Sequence, residues 1–286
     1  STHAYLVLLL KSTTRHKMTF FFSPLDEKLY PFFTPFTNDG GKNSVPLIIS
    51  PVNQHLKTHF AADQTEDYEK KKAELMSVQQ FAVEVTLDPD TAHPNLILSG
   101  DGKQVYHGDL RKILPDTPER FFRCVNVLGE PGFSSGKFYF EVQVEHKTDW
   151  TVGVARESIE RAKSVTLSTR NGYWTLWLKN ANEYEANDSP TVGLSLSRGL
   201  QKVGVFVDYE EGLVSFYDVH GAIHLYSFTG CSFTENLYPF FSPSTNDEGL
   251  NSAPLTISPV QPQKVKTGRR GSARPETTET SFSQMY

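Results

Sequence analysis

The sequence predicts an all-β fold, a two-sheet antiparallel β-sandwich preceded by a short N-terminal helix. Between residues 81 and 260, short runs of alternating apolar and polar residues follow one another closely. Turn signals such as Asn171-Gly172 and His220-Gly221 separate the runs, and helical periodicity is almost absent among them. Many short strands with little helix are typical of a sandwich. The expected strands are 83–87, 96–98, 122–128, 138–144, 150–155, 173–179, 203–208, 213–218, 223–228, 237–241 and 255–257.

The most regular part of this pattern is the segment 201–219, which predicts two strands joined by a tight turn. Apolar side chains alternate through Val203, Val205 and Val207 and resume after the turn. Gly212 supplies the positive φ that such a turn requires. The segment is therefore expected to form a hairpin with one buried face.

The strand 173–179 separates a core tryptophan from a surface tryptophan. With a period of two, Trp174 shares a face with Leu176, whereas Trp177 shares the opposite face with Lys179. A face that carries lysine is expected to meet solvent. Exposed tryptophan is enriched among the residues that dominate binding energy, so Trp177 is a candidate for ligand binding.

Two copies of one segment lie 208 residues apart. Residues 29–52 return as 237–260, with identical residues at 18 of the 24 aligned positions. Solenoid repeats have periods of tens of residues, so this spacing instead indicates duplication of a whole domain. Residues 1–60 are therefore interpreted as an orphan duplicate of a domain's C-terminal end, expected to be poorly structured because its partner strands are missing.

Residues 62–80 predict a helix, and 262–286 predict a disordered basic tail. The helix has i,i+4 pairs of opposite charge and only a thin apolar side, which is typical of the end of a coiled coil or of a strut packed on the domain. Asp63 with Glu66 resembles a capping box and places the helix start there. The tail carries basic residues among Ser, Thr, Pro and Gly, with nothing to bury.

Composition narrows the classes of function. The net charge of −5 gives no electrostatic bias toward nucleic acid or an anionic membrane. The apolar run from Ala4 to Leu10 is about half a membrane span and has no basic region before it, so no signal peptide or anchor is expected. Two cysteines form neither a disulfide framework nor a cysteine-rich zinc site. A cytoplasmic protein without metal or other cofactor is expected.

Two motifs could be interpreted as catalytic, but the sequence around each gives little support for catalysis. Gly132-Phe133-Ser134-Ser135-Gly136 matches the form of a hydrolase nucleophile elbow, but a strand follows it where that motif requires a helix. Glu210 and Glu211 lie in the predicted hairpin turn without an identifiable partner acid. We therefore predict no catalytic residues.

The order of motifs resembles a PRY-SPRY domain. Leu87-Asp88-Pro89, Phe140-Glu141-Val142 and Asp208-Tyr209-Glu210 stand where three signature motifs of that family stand, although the second has Phe140 in place of tryptophan. The resemblance covers about 81–260, with 81–133 as the PRY and 134–261 as the SPRY segment. More narrowly, the segment resembles the C-terminal domain of tripartite-motif (TRIM) E3 ubiquitin ligases, in a fish-type and truncated form.

The resemblance implies a concanavalin-like sandwich whose loops bind a protein, with an innate-immune setting. Family members usually carry a RING and a B-box, and this chain lacks both, so it is not expected to act as a ligase unaided. Oligomerisation is expected only if an upstream coiled coil exists. The alternative hypothesis is a truncated or mis-assembled structural remnant with no selected partner.

The resemblance also implies a binding site. Relatives that hold a ligand contact it through positions that correspond here to Glu157, Trp177, Lys179 and Thr245. Antibody-binding relatives have aromatic residues at the positions of Lys179 and Thr245, so antibody is not the expected ligand. A mixed protein patch with a carboxylate opposite Lys179 is expected instead.

Overall fold

The computed structural model describes residues 8–10, 18–20, 54–164 and 166–260, with side chains described from residue 65 onward. The chain divides into two compact units, Ser1–Lys70 and Lys71–Tyr286. The first unit contains strands β1, Leu8–Leu10, and β2, Met18–Phe20, which pair antiparallel. The repeated segment 29–52 and the tail 262–286 lie outside the described residues.

Helix α1 spans Gln54–Gln79 and begins eight residues before the predicted start at 62. Asp63 therefore lies inside the helix rather than at its N-terminus. The segment contains neither glycine nor proline, so nothing in its sequence interrupts the helix. The end of α1 agrees with the prediction to within one residue.

The last turns of α1 pack on the β-structure of the second unit. Leu75 and Val78 are buried in one cluster with Tyr139 and Phe206. The side-chain amide of Gln79 donates a 2.8 Å hydrogen bond to a buried carboxylate, that of Glu141. These contacts fix the end of the helix on the sandwich.

The second unit is a β-sandwich, as predicted, made of two seven-stranded antiparallel sheets. Sheet I has the order β11-β10-β9-β8-β15-β6-β3, and sheet II has the order β14-β13-β12-β7-β16-β5-β4. Their strands are β3 Thr86–Leu87, β4 Leu96–Leu98, β5 Gln104–His107, β6 Val127–Glu130, β7 Lys137–Gln143, β8 Trp150–Arg156, β9 Tyr173–Lys179, β10 Glu183–Ala186, β11 Val192–Leu194, β12 Lys202–Asp208, β13 Leu213–Asp218, β14 Ile223–Phe228, β15 Leu237–Ser242 and β16 Leu255–Ser258.

Large aromatic side chains fill the space between the two sheets. Phe140 of sheet II and Phe241 of sheet I are fully buried, and their ring centroids lie 5.9 Å apart. Trp150 and Trp174 are 2% and 6% exposed, so both belong to the core. Burial of side chains of this size contributes most of the favourable free energy of folding.

The predicted hairpin is present as β12 and β13, with Gly212 at a φ of 60° in the turn. Three further strands, β5, β10 and β11, were missed. Each is only three or four residues long, so even the polar–apolar alternation of β10, Glu183–Ala186, covers just four positions. Such short strands are held by pairing with their neighbours rather than by their own sequence pattern.

Candidate functional site

A row of four side chains crosses the outward face of sheet I. Trp177 of β9 pairs with Glu185 of β10 on one side and with Thr151 of β8 on the other, and Thr151 pairs with Ser242 of β15. Residues directly opposite each other in a sheet point to the same face. Because the neighbouring Leu176 is buried in the core between the sheets, this row faces outward.

Trp177 is held in a fixed orientation on this face. Its indole Nε1 donates a 2.9 Å hydrogen bond to Oε2 of Glu185. The Nζ of Lys179, two residues along the strand, lies 5.6 Å from the centroid of the indole ring, which is cation–π distance. Trp177 remains partly exposed, whereas Trp174 is buried. The face therefore presents an oriented aromatic ring beside a cation.

Thr245 is tied to the same end of sheet I through Asn251, which is 1% exposed. The Nδ2 of Asn251 donates to the carbonyl oxygens of Asp149, Pro243 and Thr245 at 3.0–3.1 Å. Its Oδ1 accepts from the backbone N–H groups of Thr148 and Asp149. Two acceptors of one amide nitrogen lie within about 6 Å of each other. Thr245 is therefore close to the start of β8, beside the Trp177 row.

A buried lysine supports this loop arrangement. The Nζ of Lys147 donates to the carbonyl oxygens of Asn251 at 3.3 Å and Ala253 at 2.9 Å. Burial lowers the pKa of Lys147 to about 8, and the nearby carboxylate of Asp149 only partly offsets this. The lysine thus stabilises the loop through donated hydrogen bonds at the cost of burying its charge.

Glu157 does not join the other three predicted residues. It follows the last residue of β8, six positions beyond Thr151, which corresponds to about 20 Å along an extended strand. Its carboxylate accepts hydrogen bonds from Asn236 at 3.1 Å and from Tyr238 at 3.4 Å. The prediction that all four residues converge is wrong for Glu157. Since β8 and β9 run antiparallel, the β8 residue beside Trp177 is Thr151, at the beginning of the strand.

The motifs considered for catalysis have structural roles. Ser134 and Ser135 are exposed and precede strand β7 rather than a helix. The backbone N–H of Gly136 donates to both carboxylate oxygens of Glu210, at 2.8 and 3.0 Å. Glu210 therefore joins the start of β7 to the β12–β13 turn.

In the part of the chain that the structure describes, Cys124 and Cys231 are unpaired. No group of three or more His, Cys, Asp or Glu side chains there is arranged to hold a metal ion. Among the described residues, neither α1 nor a shorter helix carries the apolar length that a bilayer crossing requires.

The described residues thus form a two-sheet sandwich that carries a partly exposed tryptophan, Trp177, on the outward face of sheet I. A model of the SPRY-associated domain, PRY, matches residues 85–133, and a model of the SPRY domain matches residues 137–255. Together they cover more than half of the chain. The chain therefore belongs to the PRY-SPRY family, as the motif order predicted.

Curated relatives support this assignment. Human Pyrin is 48% identical over 187 residues, which is 65% of this chain and 24% of Pyrin. Rat E3 ubiquitin-protein ligase TRIM69 is 49% identical over 180 residues, which is 63% of this chain and 35% of that ligase. Mouse erythroid membrane-associated protein is 49% identical over 175 residues, 61% of this chain and 31% of that protein. The chain thus spans about a third or less of the length of these relatives.

Solved structures show the same fold. The TRIM65 PSpry domain matches with a TM-score of 0.55 and 22% identity, covering 64% of this chain and 94% of that domain. Stonustoxin matches with a TM-score of 0.55 and 28% identity, covering 62% of this chain and 29% of the toxin chain. The sandwich is therefore an architecture that proteins of different kinds share.

Proposed function

We propose that this PRY-SPRY domain binds a protein ligand through the outward face of sheet I around Trp177, Lys179, Thr151 and Thr245. The observation that carries the proposal is the orientation of Trp177 by Glu185, with Lys179 at its ring. An aromatic side chain that is already oriented loses little conformational entropy when a ligand packs on it. A partly exposed tryptophan beside a charged group is also a common composition for the centre of a protein interface.

The charges on this face indicate the chemistry of the ligand. The carboxylate of Glu185 already accepts a hydrogen bond from the indole of Trp177, whereas Lys179 is exposed. The cation therefore remains available to a partner. We expect an apolar group on the indole and an acidic side chain opposite Lys179, because opposite charges across an interface favour association and exclude competing partners.

In the context of a full-length protein, we propose that this module selects the substrate of a TRIM-type ubiquitin ligase in the cytoplasm, in an innate-immune role. The proposal is supported by the similarity to TRIM69, which is named an E3 ubiquitin-protein ligase. The transfer of ubiquitin would belong to other parts of such a protein, and the present face would determine which protein is modified.

Capture of partners on the immobilised chain tests this proposal. Wild-type protein is compared with Trp177→Ala, Lys179→Glu and the control Glu157→Ala, and the captured proteins are quantified by mass spectrometry. We expect at least one protein to be lost from both variants of the face and retained by the control, whose site lies about 20 Å away along β8. If the wild-type protein and Trp177→Ala capture every partner in equal amounts, this face is not the binding site.

A further inference from the structure

A second recess lies at the other end of the sandwich, away from Trp177. It has a volume of about 390 Å³ and is bounded by the segment 228–235 and by the short 3₁₀ helix Thr169–Asn171. The core residues Trp174 and Leu237 contribute to its lining. Arg156, the last residue of β8, also lines it, so β8 runs from the Trp177 face to this recess. We call it the Arg156 pocket.

Both carboxylates in the Arg156 pocket already have hydrogen-bond donors. Asp188 accepts from the phenol of Tyr226 and from the backbone N–H of Ser189, each at 2.7 Å. Burial, together with this hydrogen bond to Asp188, raises the pKa of Tyr226 to about 12, so the phenol keeps the proton that it donates. Glu235 accepts from the backbone N–H and the hydroxyl of Ser158, both at 2.7 Å. These hydrogen bonds satisfy both carboxylates, and Glu235 has in addition a 3.8 Å ion pair with Arg156.

The two arginines of the pocket, in contrast, have unused donors. The Nε of Arg156 is buried without a hydrogen-bond partner and forms an ion pair of 3.8 Å with Oε1 of Glu235, which is too long for a hydrogen bond. A buried N–H group without a partner is unusual in a folded protein. Arg170 is exposed, and within the described residues it makes neither a hydrogen bond nor an ion pair with another side chain.

Packing rather than hydrogen bonding holds Arg156 in place. Its side chain lies over Gly172, where a Cβ atom would collide with the Cγ, Cδ and Nε atoms of the arginine. Gly172 also has a φ of 85°, a conformation that favours glycine. The backbone therefore leaves room for the arginine, whose side chain remains 41% exposed.

The remaining lining adds neutral donors. Five hydroxyl-bearing residues surround the two arginines: Thr169, Ser189, Thr229, Ser232 and Thr234. Burial raises the pKa of the Cys231 thiol to about 11, so this side chain adds no negative charge near neutral pH. Guanidinium and hydroxyl groups together are the donors that proteins use for oxyanions with several acceptor oxygens.

We propose that the Arg156 pocket binds the phosphate group of a phosphorylated serine or threonine on a partner protein. A phosphate monoester has three terminal acceptor oxygens, which matches two arginines and a ring of hydroxyls better than a carboxylate does. The aromatic wall of Trp174 and Phe233, whose ring centroids are 4.9 Å apart, faces the aliphatic part of the residue. The site is separate from the Trp177 face, so a negative result for one of the two sites does not affect the proposal for the other.

Backbone and indole NMR spectra of the full chain test this proposal. The probe is an acetylated pentapeptide amide with phosphoserine between two pairs of glycines, and the control is the same peptide with serine. We expect the phosphopeptide to shift the amide peaks of 229–235 and the indole peak of Trp174, while the indole peak of Trp177 stays in place. Weakening of the shifts between about 0.05 and about 0.5 M salt is expected for an ion pair.

Single-residue variants show which side chains contribute to phosphopeptide binding. Arg170→Ala, at an exposed position, should weaken phosphopeptide binding about tenfold or more while the spectrum of the free protein is retained. Arg111→Ala removes an exposed arginine that does not line the pocket and should leave binding unchanged. Three kinds of result would overturn the assignment. The serine peptide could cause shifts equal to those of the phosphopeptide, or Arg170→Ala could bind the phosphopeptide unchanged. A glutamate peptide or free AMP could also bind more tightly than the phosphopeptide.

Discussion

Trp177 and Glu185 face each other directly across the β9–β10 pair, and the indole Nε1 of Trp177 donates a 2.9 Å hydrogen bond to Oε2 of Glu185. The register of a three-residue connection between two strands thus decides how the exposed tryptophan is oriented. The same contact occupies the carboxylate and leaves Lys179 as the available charge beside the ring. The composition of this face follows from strand pairing as much as from the residues themselves.

The two tryptophans of β9 are expected to respond differently to truncation. Trp174→Ala removes a side chain that is 6% exposed and should lower the free energy of unfolding by about 3–5 kcal/mol. Trp177→Ala should lower it by much less, because this side chain is partly exposed and makes one hydrogen bond. Urea unfolding followed by circular dichroism measures both values. Equal losses would place Trp177 in the core and remove it from the binding face.

Much of the sandwich could be predicted from the sequence, because the alternation of apolar and polar residues and the position of turn residues indicate within a short segment which side chains are buried. Strands 173–179, 213–218 and 223–228 were predicted with their observed bounds. The partial burial of Trp177 followed from the same period of two. A short strand such as β10 offers only four alternating positions, and pairing with β9 and β11 holds it in the sheet, so the local pattern did not indicate it.

The candidate site was predicted only in part, for a geometric reason. The family resemblance placed a ligand contact at Glu157, in the loop after β8, yet the antiparallel pairing of β8 with β9 places Thr151 beside Trp177 instead. The bonds of Asn251 to segments about 100 residues away depend on tertiary contacts, which no local pattern contains.

Asn251 is expected to be required for the loop that carries Thr245. Asn251→Ala would leave a buried carbonyl of Pro243 and partly buried backbone groups of Thr148 and Asp149 without partners, and each such loss costs up to about 1–3 kcal/mol. We therefore expect a total loss of about 3 kcal/mol or more in the free energy of unfolding. Asn246→Ala is the matched control, because its side chain donates one exposed hydrogen bond, to Asp109. Similar losses for the two variants would contradict this role for Asn251.

Lys147 should make stability depend on pH. In the folded chain its pKa is lowered to about 8, whereas its ordinary value is 10.5. Between these values the unfolded chain binds a proton that the folded chain has released, so stability rises with pH. Above pH about 10 the trend reverses, because burial raises the pKa of tyrosines such as Tyr173 and the unfolded chain then loses phenol protons first.

The test compares wild-type protein with Lys147→Met by urea unfolding between pH about 7.5 and about 10. Methionine keeps most of the side-chain length but cannot be charged. The wild-type protein should gain stability relative to the variant as pH rises through this window. Parallel curves would show that Lys147 does not carry a buried charge below its folded pKa.

The final prediction separates backbone strain from steric exclusion at two glycines with positive φ. Gly212 closes the β12–β13 hairpin at a φ of 60°, and Gly230 lies in the segment between β14 and β15 at a φ of 66°. A Cβ atom on Gly212 would collide with the carbonyl oxygen of Cys231, whereas one on Gly230 would meet nothing within 4 Å. The two positions therefore share a conformation and differ in their surroundings.

Gly230→Ala should cost only the strain of a left-handed alanine, about 1–2 kcal/mol. Gly212→Ala should cost more than this, because the backbone N–H of Cys231 also donates a 2.9 Å hydrogen bond to the carbonyl of Gly212, and relief of the collision would break that contact. Free energies of unfolding in urea measure the difference directly. A loss for Gly212→Ala no larger than that for Gly230→Ala would show that φ alone requires glycine in the hairpin, and that the approach of the 231 carbonyl is not a constraint on this turn.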